Sequence, residues 1–432
     1  VPNKSTMEVM IRDRRALVLR TELHYYTGSG WQLISHEDFT YTDSALLSSS
    51  VKSNGATRSH VYSGHQKTSD TDESGVTRNY DYDSAGRLIK VTRTGFGGIN
   101  ALSTAYTYDA MDHVLTTTTA GWGTTETLVK SATFDDAGRL ASETAPGLGA
   151  VTHAYNVSSR THTTTRPDGS TVIDQTYRDG RLASRTGTRV ISEYYTFGVE
   201  TDGRTWSRTD IGTSTSARWT KSWTDWAGRA IRSERPAFTS LSNVVEENFY
   251  HATTGRLYKT TRSGYAPTRI EYYALGGVKR SGLDVDDNGL VLASNDRIEE
   301  SETTFESFDG AWWSKTENRR YLHGGTATAT TVGITRQRLT GFTNNQQGET
   351  RTTDANGNVT IATVNVDRSG RTVVRSTSRV GIANQQVETL INGYPIRVLD
   401  FNGLLTTTQY DGLMRVSAVI DSRGNPTRTA YY

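Results

Sequence analysis

The amino-acid sequence predicts an all-β protein built as an array of short β-hairpins. Thr, Tyr and Val are abundant and helix-forming runs are scarce, which is typical of strands. A motif of the form aromatic-Asp-x-x-Gly-Arg occurs at residues 82–87 and again at 134–139, with degenerate copies elsewhere. Motif copies that recur with a period of about 20 to 50 residues are typical of solenoids, propellers and arrays. Because one hairpin cannot bury a face alone, neighbouring units are expected to stabilise each other.

The repeated motif has the residue preferences of a type I turn between two strands. Asp at the first turn position can accept backbone N–H groups downstream, and Gly at the fourth position tolerates a positive φ. Tyr82 and Arg87 are expected to face each other across the hairpin, where ring and guanidinium can stack. The predicted structural turn residues are Tyr82, Asp83, Gly86, Arg87, Phe134, Asp135, Gly138, Arg139, Gly180, Arg181, Gly203, Arg204, Gly228, Arg229, Gly255, Arg256, Gly370, Arg371, Tyr410 and Asp411.

The repeat spacing predicts the organisation of the chain. Between residues 86 and 277, the fourth loop position recurs every 21 to 27 residues. We expect an N-terminal β segment at 1–60, a repeat array at 61–280, divergent repeats with an acidic insertion at 281–350, and a degenerate array at 351–432 that continues beyond the chain. The opening Val-Pro-Asn, without Met, favours a processed or excised piece.

Two strands are predicted in the N-terminal segment, from Leu17 to Tyr26 and from Trp31 to Tyr41. Pairing Tyr26 with Trp31 places His24 opposite Leu33 and His36 opposite Thr21. The two histidines are therefore expected to be ordinary strand residues.

Composition excludes several classes of function. The 48 basic and 46 acidic residues are interleaved, and without a basic block no nucleic-acid partner is expected. The absence of Cys excludes disulfides, thiolate zinc sites and Cys nucleophiles.

No apolar run reaches the roughly 18 residues of a membrane-spanning helix. No G-x-S-x-G or H-E-x-x-H motif occurs, so no catalytic residue is nominated.

Two patterns are weak metal candidates. Asp284, Asp286 and Asn288 match the first half of a calcium loop, D-x-D-x-N-G, but the twelfth position is Asn295 where a bidentate Glu is expected. The alternative is an Asn-Gly hairpin turn in an acidic stretch. His153 and His162 would be cross-strand partners if Tyr155 paired with Arg160, which gives too few ligands for structural zinc. The sequence therefore predicts no bound metal and no cofactor.

The segments 82–88 and 134–140 resemble the repeat of the Rhs/YD-repeat family, which includes bacterial Rhs proteins, Tc toxin cocoon subunits and teneurins. The resemblance covers roughly residues 61–280 and 350–432. It implies an array of YD-repeat hairpins in one sheet that spirals into part of a hollow shell or tube. Bacterial members often enclose a toxic C-terminal domain, released by the shell's aspartyl protease activity, and teneurin-like members use the outer surface for adhesion. The Asp-Pro-rich core and a separate toxin are not found in this sequence, so autoproteolysis and enclosed cargo are not inherited by this chain as it stands.

The predicted function is a non-enzymatic shell segment of a secreted or surface-displayed bacterial protein, which encloses a toxin or presents a surface for cell contact. Because sheet edges invite pairing, the expected partners are the rest of a longer repeat polypeptide or copies of itself, with an enclosed toxin domain or a surface glycan as further partners. A glycan-processing enzyme is one alternative. The other is a carbohydrate-binding adhesin module that uses exposed rings among Trp122, Trp206, Trp219, Trp223, Trp226, Trp312 and Trp313.

Overall fold

A computed structural model describes residues 5–237, 242–273, 276–292, 295–321 and 328–431. Within these ranges the chain forms β-strands and no α-helix, which confirms the predicted all-β class. No helix with the length and apolarity needed to cross a membrane occurs among the described residues.

The first third of the chain is a run of hairpins in which each strand from β1 to β10 pairs antiparallel with the next. The strands are β1 (Thr6–Arg12), β2 (Val18–Tyr26), β3 (Trp31–Tyr41), β4 (Leu47–Lys52), β5 (Thr57–Ser63), β6 (Gln66–Thr71), β7 (Thr77–Tyr82), β8 (Leu88–Arg93), β9 (Leu102–Tyr108), β10 (Val114–Gly121), β11 (Thr127–Phe134) and β12 (Leu140–Thr144).

The middle of the chain continues the same antiparallel pairing from β11 to β25. Its strands are β13 (Val151–Asn156), β14 (Thr161–Thr165), β15 (Thr171–Thr176), β16 (Leu182–Thr186), β17 (Glu193–Val199), β18 (Thr205–Ile211), β19 (Trp219–Thr224), β20 (Ala230–Arg235), β21 (Val244–Tyr250), β22 (Leu257–Arg262), β23 (Thr268–Tyr272) and β24 (Val278–Leu283).

The last part of the chain begins with two long strands, and antiparallel neighbour pairing is again continuous from β27 to β35. The predicted hairpin array is therefore confirmed. The strands are β25 (Arg297–Phe308), β26 (Ala311–Tyr321), β27 (Thr330–Arg338), β28 (Gln346–Asp354), β29 (Val359–Asp367), β30 (Thr372–Arg379), β31 (Gln386–Ile391), β32 (Tyr394–Leu399), β33 (Leu405–Tyr410), β34 (Val416–Ile420) and β35 (Pro426–Arg428).

The chain divides into two compact units. The first unit comprises Val1–Lys130, Glu302–Glu317 and Val332–Tyr432, and the second comprises Ser131–Ser301 and Asn318–Thr331. In the first unit Ile34 and Trp313 are completely buried, and in the second Ile298 is 1% exposed. The boundaries predicted at residues 60, 280 and 350 stay predictions.

The N-terminal hairpin follows the predicted register up to a bulge. Tyr26 pairs with Trp31 and His24 with Leu33, as the sequence predicts. The register then shifts, so His36 lies opposite Glu22 and the predicted Thr21 partner is wrong. The extra residue in β3 is the completely buried Ile34, and one inserted residue moves every later pair by one position.

The repeat turn also contains one more loop residue than the predicted four-residue loop, since residues 83–87 lie between the paired Tyr82 and Leu88. The Gly86 N–H donates to the Asp83 carbonyl at 3.0 Å, and the Asp83 N–H donates to the Arg87 carbonyl at 3.0 Å. This is a type I turn followed by a bulge at a glycine with φ 86°. Tyr82 consequently pairs with Leu88, and the predicted pairing of Tyr82 with Arg87 is wrong.

Candidate functional site

The carboxylate of the repeat turn caps its own loop. Asp83 Oδ1 accepts the backbone N–H groups of Ala85 and Arg87, both at 2.9 Å, and Oδ2 accepts Arg87 Nε at 2.8 Å. These bonds from the Arg87 backbone and side chain lower the pKa of Asp83. The guanidinium is thereby held in one orientation at the edge of the array. The same cap occurs at Asp135 with Arg139, Asp225 with Arg229 and Asp411 with Arg415.

The arginine of each capped turn stacks on the aromatic ring of the following hairpin. Arg87 lies over the Tyr108 ring at 4.9 Å from its centroid, and its Nη1 also donates to the Asp109 carbonyl at 3.0 Å. A guanidinium over a ring contributes about 0.5–1 kcal/mol at an exposed position. Equivalent stacks are Arg139 on Tyr155, Arg181 on Phe197, Arg229 on Tyr250, Arg256 on Tyr272 and Arg415 on Tyr431.

The stacked tyrosine returns a hydrogen bond to the hairpin that holds it. The Tyr108 hydroxyl donates to the carbonyl of Leu88, the residue after Arg87, at 2.6 Å. We call this combination of capping Asp, stacked Arg and hydroxyl-bonded Tyr the repeat clamp. Hydroxyl bonds to the equivalent carbonyl are made by Tyr250 to Ala230, Tyr272 to Leu257 and Tyr431 to Val416.

Tyr108→Phe is expected to lower the free energy of unfolding by about 1 kcal/mol, because it removes one hydrogen bond and keeps the ring. The measurement is the urea midpoint of the intact chain. Tyr265→Phe is the control, since that ring is 68% exposed and no hydrogen bond involves its hydroxyl within the described ranges. If both variants unfold at the same urea concentration, the hydroxyl does not stabilise the clamp.

Some predicted turn residues have a different geometry. Gly86, Gly138, Gly180, Gly203, Gly228 and Gly255 all have positive φ. At residues 367–371 the positive φ belongs to Arg371 and not to Gly370. Before Arg181 and Arg204 the acidic partner lies two residues upstream, at Asp179 and Asp202, instead of four. The turn therefore tolerates two placements of the carboxylate that orients the arginine.

Within the first unit, loops of the early hairpins contact loops of the late hairpins. Asn54 Nδ2 donates to the Gln347 carbonyl at 2.7 Å, and Asn392 Nδ2 donates to the Thr94 carbonyl at 2.8 Å. We call this row of loop contacts the seam. Its further members are Arg371 with Thr94 and Phe96, Arg93 with Tyr394, and Gly121 and Thr124 with Gly412.

The seam joins residues at a nearly constant distance along the chain. Four of its hydrogen-bonded pairs are 277, 289, 293 and 298 residues apart. Two stretches that run in opposite directions would give separations that change steadily along the contact. In the first unit the early and late hairpins therefore advance in the same direction, side by side.

The seam also has a regular step in strands. The β6–β7 loop meets the β29–β30 loop, the β8–β9 loop meets β31–β32, and the β10–β11 loop meets β33–β34. These partners are 23 strands further along the chain, and the contact of Thr94 with Arg371 joins the β8–β9 loop to the β29–β30 loop, 21 strands further. Successive loops lie on alternate edges of a hairpin array, so an odd step brings opposite edges together.

One arginine belongs to both the clamp and the seam. Arg415 Nε bonds Asp411 in its own turn at 2.7 Å, and its Nη2 bonds both Glu126 oxygens at 2.9 and 3.0 Å. Its guanidinium also stacks on Tyr431. The capped-turn geometry that recurs along the chain can therefore position an arginine both for contacts along the array and for contacts across the seam.

A cleft of about 640 Å³ lies beside the seam in the first unit and is lined by Glu22, Glu349 and Arg338 among others. Burial raises the pKa of Glu349, but hydrogen bonds from Arg351 and Arg338 outweigh it and lower the pKa overall. The hydrogen bond from His24 lowers the pKa of Glu22. A general acid requires a raised pKa, whereas the pKa values of Glu349 and Glu22 are both lowered. The glycan-processing alternative stays a prediction.

His153 and His162 touch, but not in the predicted register. Tyr155 pairs with His162, so His153 faces Thr164, because the four-residue turn comprises residues 157–160 and not residues 156–159, as a pairing of Tyr155 with Arg160 requires. The rings stack, with His153 Nδ1 3.1 Å from His162 Nε2. These two nitrogens share one proton in a hydrogen bond. The two imidazole rings are therefore hydrogen-bonded to each other.

Stability is expected to fall on mild acidification because of His162 and His60. Burial, followed by the neighbouring His153, lowers the pKa of His162, and burial lowers the pKa of His60, while Asp174 and Asp70 oppose these shifts. The unfolded chain then binds more protons than the folded chain below about pH 6.5, so stability decreases as pH falls through that value. Urea unfolding between about pH 7.5 and 5.5 measures the slope.

His162→Gln is expected to reduce this pH slope. His65→Gln is the control, because His65 is exposed in the β5–β6 turn. Equal slopes for both variants would show that the buried pair does not couple to folding.

The three weak metal candidates lie in the loop between β24 and β25. Asp284 is completely buried, and Asp286 and Asp296 lie close enough that one ligand oxygen from each falls within 4.8 Å of the others. Asn288 instead bonds within its own turn, since its Nδ2 donates to Asp286 and its Oδ1 accepts the Leu290 N–H. Asp296 was missed by sequence reasoning because the calcium-loop pattern ends one residue earlier, at Asn295.

The tryptophans named for sugar binding have different environments. Trp313 is completely buried and Trp223 is 8% exposed, so these two pack within the protein. Trp226 and Trp122 are 89% and 71% exposed. Lys221 lies over the rings of both Trp206 and Trp223. A carbohydrate-binding surface stays a prediction, with Trp226 and Trp122 as its exposed rings.

The repeat clamp and the seam together define an all-β hairpin-repeat protein. Comparisons with known proteins add only solved structures of low similarity to this description. No protein-family model and no curated protein matches the sequence. One solved structure to which the chain is similar is the crystal structure of TcdB2-TccC3-Cdc42, with 13% identity, a TM-score of 0.26, and a match over 94% of this chain and 28% of that chain. Another is the crystal structure of TcdB2-TccC3-TEV, with 12% identity, a TM-score of 0.28, and a match over 98% of this chain and 28% of that chain.

A third similar structure is the Photorhabdus luminescens Tc holotoxin pore with a mutation in TccC3 (13% identity, 98% of this chain and 27% of that chain, TM-score 0.26). The chain thus spans little more than a quarter of the length of these Tc toxin chains. Their TM-scores are too low to carry an argument about this chain's activity or partners.

Proposed function

We propose that this chain is a structural, non-enzymatic segment of a YD-repeat shell or tube. The observation that carries the proposal is the seam, in which early and late hairpins contact at separations of 277 to 298 residues and advance in the same direction. Successive turns of a coiled ribbon produce this pattern, because each turn returns beside the previous one after a fixed length of chain.

The repeat clamp supports the same role. A shell wall requires each hairpin to be fixed to the next without a central core, and repeat proteins obtain their stability from such neighbour contacts. The Arg-on-ring stacks and hydroxyl bonds provide these contacts at the array edge in both units. Such a wall encloses a volume or presents an extended surface.

The setting that we propose is a secreted or surface-displayed bacterial protein of the Rhs/YD-repeat type. Its partners would be further hairpins of a longer polypeptide or of other copies, covering the remaining edges, and its cargo a toxin domain. The proposal depends on the repeat motif and the seam.

Electron microscopy of the purified chain tests the proposal. We expect a coiled body with an internal volume, and an extended ribbon would contradict it. The mass of the native polypeptide under denaturing conditions tests the larger assembly. A mass well above that of 432 residues would favour one arc of a longer shell, whereas an equal mass would favour a self-contained chain that assembles with copies.

A further inference from the structure

The loop between β24 and β25 concentrates negative charge in the interior of the second unit. Asp284 and Asp296 are both completely buried, and Asp286 lies beside them. One ligand oxygen from each of the three residues lies within 4.8 Å of the other two. Burying like charges this close together is unfavourable unless a cation neutralises them.

The described protein groups neutralise only part of this charge. Arg269 Nε donates to Asp284 Oδ2 and is the one cationic side chain paired with the cluster among the described residues. Among the described residues, Asp296 receives only backbone N–H groups, from Val285 and Leu292, both at 2.8 Å. Asp286 receives two neutral amides, from Asn288 and Asn295, both at 2.9 Å. Three carboxylates therefore face a single guanidinium.

A second observation points to a ligand. Asp284 Oδ1 is buried and has no hydrogen-bond partner among the described residues, although the other oxygen of the same carboxylate accepts Arg269 Nε and the Gly289 N–H. A buried carboxylate oxygen without a partner is costly, and native structures rarely contain one without an unseen water or ion. The unpartnered oxygen belongs to one of the three residues of the acidic cluster.

We propose that Asp284, Asp286 and Asp296 bind a calcium ion. Calcium takes six to eight oxygen ligands at about 2.3–2.6 Å, so two oxygens on a shared ion are at most about 5 Å apart, which agrees with the observed cluster. Calcium also tolerates irregular geometry, whereas magnesium requires a near-octahedral site. Water would complete the coordination at the exposed Asp286.

Bound calcium would hold the connection from β24 to β25 in one conformation. Asp284 and Asp296 lie at opposite ends of the loop, directly after β24 and directly before β25. A common ion would therefore cross-link the two ends. In contrast to an EF-hand, the loop closes with Asp296 and lacks flanking helices within the described ranges.

Calorimetric titration of the whole chain with calcium chloride, after removal of divalent ions with a chelator, tests the proposal. We expect one site with a dissociation constant of about 10⁻⁴ to 10⁻³ M, as in extracellular calcium modules. Asp286→Asn is expected to weaken binding at least about tenfold, because it removes a charged ligand at an exposed position that does not support the core. Asp354→Asn is the matched control, since Asp354 caps a similar exposed Asn-rich turn with Asn358 at 2.8 Å and has no acidic cluster.

Thermal unfolding and proteolysis provide readouts that do not depend on the variants. Calcium is expected to raise the unfolding temperature and to slow cleavage between residues 284 and 296, and magnesium at equal concentration should do neither to the same extent. Absence of binding up to about 10 mM calcium would overturn the proposal. Equal effects of calcium and magnesium, or unchanged binding in Asp286→Asn, would overturn it as well.

Discussion

Gly121→Ala is expected to destabilise the chain by about 3 kcal/mol, which is the upper end for overpacking a filled site. A Cβ added at Gly121 would lie 1.6 Å from the Gly412 carbonyl oxygen and 2.4 Å from its carbonyl carbon. Both opposing atoms are backbone, so no side-chain rotation can relieve the overlap. Gly121 lies outside the left-handed region, so the cost is steric and measures the seam directly.

Gly30→Ala is the matched control for this substitution. Gly30 also lies in the first unit and outside the left-handed region, and nothing lies within 4 Å of an added Cβ. Its effect is expected to stay within about 0.5 kcal/mol. Urea unfolding of both variants gives the comparison. If the two midpoints are equal, the loops at 121 and 412 are not in contact, and the coiled arrangement loses its main support.

The turn chemistry was predictable because it depends on residues close together in sequence. Asp83 and Gly86 specify their turn through side-chain capping and a positive φ. The strands predicted from Leu17 to Tyr26 and from Trp31 to Tyr41 flank a Gly-rich turn, and they occur in the structure as Val18–Tyr26 and Trp31–Tyr41.

Register was less predictable, because bulges are decided by packing. Nothing local in the sequence indicates that Ile34 is the extra residue of β3, since its preference for the interior is satisfied only once the core exists. In the repeat turn the bulge moves Arg87 past Tyr82. The arginine then reaches the Tyr108 ring of the next hairpin, so a predicted contact within one unit becomes a contact between units.

The seam and the acidic cluster could not be predicted from local pattern at all. Asn392 and Thr94 are separated by 298 residues, so no local pattern indicates their contact. Asp296 becomes a neighbour of Asp284 only when the loop folds back from β25. No short motif in the sequence indicates either contact.

Asn392→Ala is expected to cost about 2 to 5 kcal/mol, from two separate causes. Asn392 is completely buried and has φ 51°, a left-handed conformation that costs Ala about 1–2 kcal/mol. Its Nδ2 donates to the Thr94 carbonyl across the seam at 2.8 Å, and losing a buried hydrogen-bond partner costs about 1–3 kcal/mol.

Two further variants separate these causes. Asn344→Ala changes an exposed Asn with φ 53° that makes no side-chain hydrogen bond within the described ranges, so it should carry the conformational cost alone. Asn392→Gly relieves the conformation and removes the side-chain hydrogen bonds to Thr94 and Arg371. We expect the urea midpoint of Asn392→Ala to be the lowest of the three. If Asn392→Ala and Asn344→Ala were equally stable, the buried amide would contribute nothing to the seam, and the backbone turns alone would have to hold the early and late hairpins together.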